Sequence, residues 1–152
     1  CCTTPLYDAM GMTLTGMHKQ VQGMKDALVV VTIITDGMEN ASREYNGKTI
    51  KELVERLRGE GWTFTYMGAN QDSVEVAMSM SIRNARNFDY SNEGTRASMQ
   101  KDSSTRMNLF GRLAKWKTAE MKGCCAVPAS ESERRNLYAN MADEAFDEEE
   151  NK

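Results

Sequence analysis

The chain is poor in the groups from which most catalytic and metal sites are built. It holds one histidine and two prolines in 152 residues, and its four cysteines stand as two adjacent pairs, Cys1-Cys2 and Cys124-Cys125. A single imidazole, His18, beside Leu14, Met17 and Val21 reads as a flank or packing residue of a helix, so a histidine-based nucleophile system is not expected. Adjacent cysteines have neither the C-x-x-C spacing of a zinc site nor the spread of a disulfide framework. Reduced thiols in a cytosolic setting are the plain expectation, with a bridge between the two pairs as the alternative. Nineteen basic residues against twenty-two acidic ones leave a net charge of −3, too balanced for a chain that grips nucleic-acid phosphates. The longest strongly apolar run, Ala27 to Ile34, is far short of a bilayer span, and no secretory signal is visible, so no membrane partner is expected.

What the sequence does have is alternation. Thr4-Pro5 suits a helix start, with threonine as N-cap and proline at the first helical position. Leu6, Met10, Leu14, Met17, Val21 and Met24 then recur every three or four residues, predicting one apolar stripe to about Lys25. Ala27 to Ile34 is a β-branched run without alternation, as expected for a central strand covered on both faces. Thr49 is placed to cap a second helix carrying Ile50, Leu53, Val54 and Leu57, which Gly59 and Gly61 stop. Trp62, Phe64 and Tyr66 alternate with Thr63, Thr65 and Met67 in a second strand ending at Gly68-Ala69-Asn70. Asp72 or Ser73 opens a short helix, Ala85 to Tyr90 reads as a weaker strand, and a polar helix within Thr95 to Lys122 docks through Leu109, Phe110, Leu113 and Trp116. Such alternation predicts an α/β fold, a doubly wound, mainly parallel sheet between helix layers, Rossmann-like and three-layered. Twelve methionines supply adaptable core volume.

The expected organisation is an α/β domain over residues 1–122 and an acidic segment over 123–152. From Ala126 onward eight acidic residues face three basic ones. A solvated acidic tail is the reading favoured there, with a short amphipathic helix through Leu137, Met141 and Ala145 as the alternative.

In an open parallel sheet, ligands bind beyond the carboxyl ends of the strands. Two such ends carry oxygen-rich loops, Thr35-Asp36-Gly37-Met38-Glu39-Asn40 and Gly68-Ala69-Asn70-Gln71-Asp72. Carboxylate, hydroxyl and amide groups suit a hard cation such as magnesium, which keeps several waters and needs one or two carboxylates. Each residue also has a plainer role: Thr4 as an N-cap, Asp36-Gly37 as a turn, Glu39 and Asn40 as loop surface, Asn70 and Asp72 as helix caps.

Three stretches, Thr4-Pro-Leu-Tyr-Asp-Ala-Met10, Val30-Val-Thr-Ile-Ile-Thr-Asp-Gly37 and Gly61-Trp-Thr-Phe-Thr-Tyr-Met-Gly68, resemble a von Willebrand factor A domain over roughly residues 3–90. The resemblance implies a metal-ion-dependent adhesion site at the carboxyl edge of the sheet. In it, Thr4 takes the threonine position, Asp36 takes the aspartate position, and Mg2+ is shared with an acidic side chain of another protein. Gly37, Glu39, Asn40, Asn70 and Asp72 would form the rim that this partner meets. The family's Asp-x-Ser-x-Ser loop is absent; Asp102-Ser103-Ser104 has the composition without the spacing and lies on the wrong side of the motif order. Together with a start at Cys1, that makes a domain truncated at its N-terminus, with a partial and weak Mg2+ site, the expectation. Stand-alone relatives in bacteria and their phages make a cytoplasmic or virion location part of what the resemblance implies. The alternatives are a structural or assembly component with a degenerate metal site, and an α/β enzyme acting on a nucleotide or phosphate ester. Against the enzyme, Gly59-x-Gly61 leads into a strand rather than out of one, and no Walker-type loop is present.

Overall fold

The computed structural model describes residues 3–69 and 72–150. In chain order it contains α1 (Leu6–Val21), β1 (Val30–Thr35), α2 (Gly47–Gly59), β2 (Thr63–Ala69), α3 (Ser73–Ser79), β3 (Asn84–Phe88), α4 (Asn92–Met121) and α5 (Glu131–Glu150). The three strands form one parallel sheet in the order β1-β2-β3, with Val30 opposite Thr63 and Thr65 opposite Asn84. The fold is thus mixed α/β with a parallel sheet, as the alternation of patterns predicts. The reversal of strand order that a doubly wound sheet has is not found among the described residues.

Two apolar clusters lie on opposite faces of the sheet. On one face, Leu6, Met10 and Leu14 of α1 and Ile50, Val54 and Leu57 of α2 pack with Ile33, Phe64 and Tyr66. The three α2 residues have no exposed surface, and each contributes roughly 1.5–3 kcal/mol by burial. On the other face, Leu109 of α4 and Ala142 and Ala145 of α5 pack with Leu28 and Val30. Helices therefore cover both faces of the strands.

The central strand is β2, not β1. All seven β2 residues are buried, whereas β1 forms the edge of the sheet and leaves Ile34 exposed. An apolar run without alternation reports that both faces are covered; it carries no information on whether both edges are paired. β1 also starts and ends later than the run, at Val30 and Thr35.

Helix ends differ from expectation for local reasons. α1 stops at Val21 rather than near Lys25, because Gly23 adopts positive φ in the turn that follows. Within α1, a Cβ on Gly11 would meet the Tyr45 ring at 2.4 Å, so this glycine is required for the α1 contact with the loop before α2. The cap of α2 is Asn46, not Thr49. Asn46 accepts from the Thr49 N–H while Thr49 Oγ1 accepts from the Asn46 N–H, a reciprocal capping box. On α4, Leu109 is buried and Trp116 meets Tyr138 edge-on at 5.9 Å, but Phe110 faces solvent.

The segment expected as a solvated acidic tail is instead the 20-residue helix α5. Tyr138, Ala142, Ala145 and Phe146 are buried, a stripe shifted from the Leu137-Met141-Ala145 pattern. Two ion pairs and a hydrogen bond pin it: Arg134 clasps Glu120 of α4 through two hydrogen bonds of 2.7 and 2.9 Å, Arg112 pairs with Glu148, and Tyr138 donates to Asp26. The acidic count hid the apolar face because carboxylates such as Glu133, Glu144 and Asp147 lie exposed, off the buried stripe. Cys124 and Cys125, between α4 and α5, are free thiols; Cys1 and Cys2 lie outside the described residues.

Candidate metal site at the carboxyl edge of the sheet

β1 runs out at Thr35, and the loop 36–46 folds back over the start of α1. The α1 N-cap position is occupied by Pro5, which offers no side-chain cap, so the first-turn N–H groups must find partners elsewhere. The loop supplies them. Tyr7 N–H donates to Glu39 Oε2 at 2.8 Å, and Asp8 N–H donates to Ser42 Oγ at 3.0 Å. A carboxylate at this end also suits the helix dipole. In return, Asp8 accepts from the N–H groups of Arg43, Glu44 and Tyr45 at 2.8, 2.9 and 2.8 Å. Those main-chain donors, that of Arg43 foremost, hold the Asp8 carboxyl below its usual range. For Glu39, burial pushes the carboxyl up, but hydrogen bonds from Ser42, Tyr7 and Ala41 outweigh burial and hold it low.

Thr4 sits one residue before the cap, so its own capping role is displaced. Its N–H donates to Asn40 Oδ1 at 2.8 Å, and its carbonyl accepts from Asn40 N–H at 3.3 Å. That grip turns the hydroxyl toward Gly37, where a Cβ would lie 2.7 Å from Thr4 Oγ1. Asp36 adjoins it and is exposed. Thr35 Oγ1 donates to the Gly37 carbonyl at 2.8 Å and accepts from Gly37 N–H at 3.2 Å, which fixes the turn. Thr4 and Asp36 together border an open cavity of about 420 Å³, along with Pro5, Ile34, Tyr90 and Thr95.

Among the described residues, neither the Thr4 hydroxyl nor the Asp36 carboxylate has a hydrogen-bond or ion-pair partner. The neighbouring polar groups are otherwise engaged. Glu39 accepts four hydrogen bonds from Tyr7, Ala41 and Ser42, and Asn40 is spent on Thr4. Asp72 caps α3 by accepting from Glu75 N–H at 3.1 Å and borders a second, larger cleft of about 790 Å³ with Asn87, Asp89 and Gly94. Asn70 lies outside the described residues. Asp8, Ser42 and Tyr90 are not among the site residues that the sequence pattern predicts. An acidic residue in the first turn of a helix was the available signal for Asp8, and nothing local marked the other two.

A hydroxyl and a carboxylate are hard oxygen donors of the kind magnesium takes, and with waters they account for part of a six-coordinate shell. No group of three His, Cys, Asp or Glu side chains able to hold a metal occurs among the described residues. His18 lies away from this edge, its Nε2 2.7 Å from Glu60 Oε2 and its ring beside Trp62. No helix among the described residues is long and apolar enough to cross a membrane. No family model, curated protein or solved structure matches the chain.

Proposed function

We propose that this α/β unit is a protein-interaction module of von Willebrand A type, finer in likeness than the parallel α/β architecture alone. Its rim contributes Thr4 Oγ1 and the Asp36 carboxylate to a Mg2+ site, while waters and a carboxylate from the partner fill the remaining positions. The observation that carries the reading is selective idleness. At an edge where Asp8, Glu39, Asn40 and Asp72 are all tied into hydrogen bonds, the hydroxyl of Thr4 and the carboxylate of Asp36 alone of this set are unspent and border one cavity. A cation between them and an acidic partner side chain turns a repulsion between carboxylates into attraction. Two protein oxygens make a weak site by themselves, so affinity depends on the partner's group. The residues invoked bind and orient; none is assigned a catalytic role. A cytoplasmic or virion location belongs to the same reading.

The test uses the cations themselves. Mn2+ added to the isotope-labelled chain should broaden the amide signals of residues 4, 36 and 37 ahead of all others, and excess Mg2+ should reverse the broadening. Asp36→Asn and Thr4→Val should each abolish it. Broadening centred on the acidic residues of α5, or none at millimolar Mn2+, would overturn the metal half of the reading.

A further inference from the structure

α4 meets the sheet unevenly along its length. Ser98, Lys101, Thr105 and Leu109 follow one another at spacings of three and four and share a helix face. Thr105 and Leu109 are buried, while Ser98 and Lys101 are half-buried. Between this first stretch of the helix and β3 lies a cavity of about 430 Å³, bordered by Ala97, Ser98 and Lys101 of α4 and by Ala85, Arg86 and Asn87 of β3. Arg86 stands opposite Met67 in the ladder, and Thr65, two residues before Met67, bonds Thr32 on the face that Arg106 of α4 reaches. Side chains two apart in a strand share a face, so Arg86 is directed to the α4 side of the sheet.

Two cations, Arg86 and Lys101, therefore border one space, and both are partly withdrawn from solvent. Among the described residues neither side chain has an ion-pair or hydrogen-bond partner, and Arg86 Nη1 is buried without an acceptor. The carboxylate next in sequence to Lys101, Asp102, is spent on Arg106 at 2.7 Å. Charges drawn out of water are normally paired, and two of like sign beside one cavity destabilise each other. Ser98 adds a hydroxyl that is likewise without a partner among the described residues.

Two unpaired cations and a hydroxyl suit an oxyanion. A carboxylate brings one charge and two oxygens, whereas a phosphate monoester at neutral pH brings nearly two charges and three acceptor oxygens, and the guanidinium fork matches it in shape. The cavity adjoins the cleft of about 790 Å³, with which it shares Asn87, Ala97 and Ser98. Asp72 and Asp89 border that cleft. Their carboxylates repel a second anionic group and accept from hydroxyls. This disfavours nucleic acid, polyphosphates and acidic peptides, and favours a small ester rich in hydroxyl groups.

We propose that the space between β3 and the first turns of α4 binds the phosphate group of a small polyol monoester, held by Arg86, Lys101 and Ser98. It needs no cation, so this site stands or falls separately from the rim at Thr4 and Asp36.

The probes are inorganic phosphate and glycerol phosphate, titrated in EDTA at constant ionic strength into the isotope-labelled full chain. Both should shift the Arg86 Nε–H and Ser98 amide signals saturably in the millimolar range and raise the melting temperature. The ester alone should also move the amides of Asp72, Asp89 and Gly94, and should bind about tenfold more tightly, as one added pair of hydrogen bonds allows. Lys101→Met should weaken both at least tenfold. Because it removes one of two like charges, it should melt no lower than the native chain without phosphate; a lysine serving only the fold would lower that melt. Arg86→Met should weaken both as much, and Lys101→Met carries the test should that variant not fold. Unmoved Arg86 and Ser98 signals under millimolar phosphate, or equal shifts when chloride replaces it, would overturn the proposal. Equal affinity for the two probes with the cleft amides unmoved would overturn the polyol half and assign the site to free phosphate.

Discussion

Thr4 and Asn40 exchange two hydrogen bonds, the Thr4 N–H donating to Asn40 Oδ1 at 2.8 Å and the Asn40 N–H to the Thr4 carbonyl at 3.3 Å. Thirty-six positions apart in the chain, they lock the lead-in to α1 onto the loop after β1. The same loop then caps α1 from outside through Glu39 and Ser42. These bonds tie down the rim of the cavity that Thr4 and Asp36 both border.

The first expectation concerns that external cap. Glu39→Ala removes the acceptor of Tyr7, Ala41 and Ser42 and should cost about 1–3 kcal/mol in urea unfolding. The Glu39 carboxyl is lowered in the folded chain, so its stabilisation is present above the usual glutamate value of 4.5 and is lost as pH falls through the depressed native value. Asp8 acts with the same sign. Melting curves from pH 6 to pH 2.5 should therefore decline less steeply for Glu39→Gln than for the native chain; identical slopes would remove Glu39 from the account.

Two glycines on α1 give opposite outcomes. Gly11→Ala drives a methyl into the Tyr45 ring and should destabilise by about 1–3 kcal/mol. Gly16→Ala meets open space and should stabilise by roughly 0.5–1 kcal/mol through helix propensity. Thermal melts that shift in the same direction for both would contradict the packing described here.

α5 should behave as part of the cooperative fold. Phe146 has no exposed surface, and Phe146→Ala should cost about 3–5 kcal/mol, lowering a single transition rather than creating a second one. A solvated tail would leave the melt unaltered, which is the outcome that would refute this packing.

Asp143 is the reverse of Glu39. Burial pushes its carboxyl up, ahead of the lowering by Arg58 and by the hydrogen bond from Asn84. A raised native value means that its contribution is full below the usual aspartate range, near 3.8, and is lost as pH rises through the native value. Asp143→Asn keeps an acceptor for Asn84 Nδ2 and should be more stable than the native chain at pH 7, with the gain vanishing in acid. A destabilised variant at pH 7 would show that the charge is better paired than the geometry indicates.

Much of this was legible before folding. The apolar periods of 3.6 and 2 located all three strands and the first four helices, usually within a few residues, since each period is a local record of which face is covered. Thr4 and Asp36 stand at a helix start and a strand end, and both border one cavity. The commitments of Glu39, Asn40 and Asp8 were not legible, because hydrogen bonds spanning more than thirty residues leave no local period. The acidic C-terminal stretch misled for a related reason: composition averages over a helix whose buried stripe is only Tyr138, Ala142, Ala145 and Phe146.

Chain order and side-chain alternation determined by themselves that helices and strands would alternate around a parallel sheet, because a buried strand and an amphipathic helix are each specified by near neighbours. Tertiary structure alone decided that β2 is central and β1 is an edge, that α5 closes the second face, and that α1 is capped by a loop from beyond β1. Each of those depends on which surfaces meet across the fold, and pairing partners, unlike covered faces, are not written into the spacing of residues along one segment.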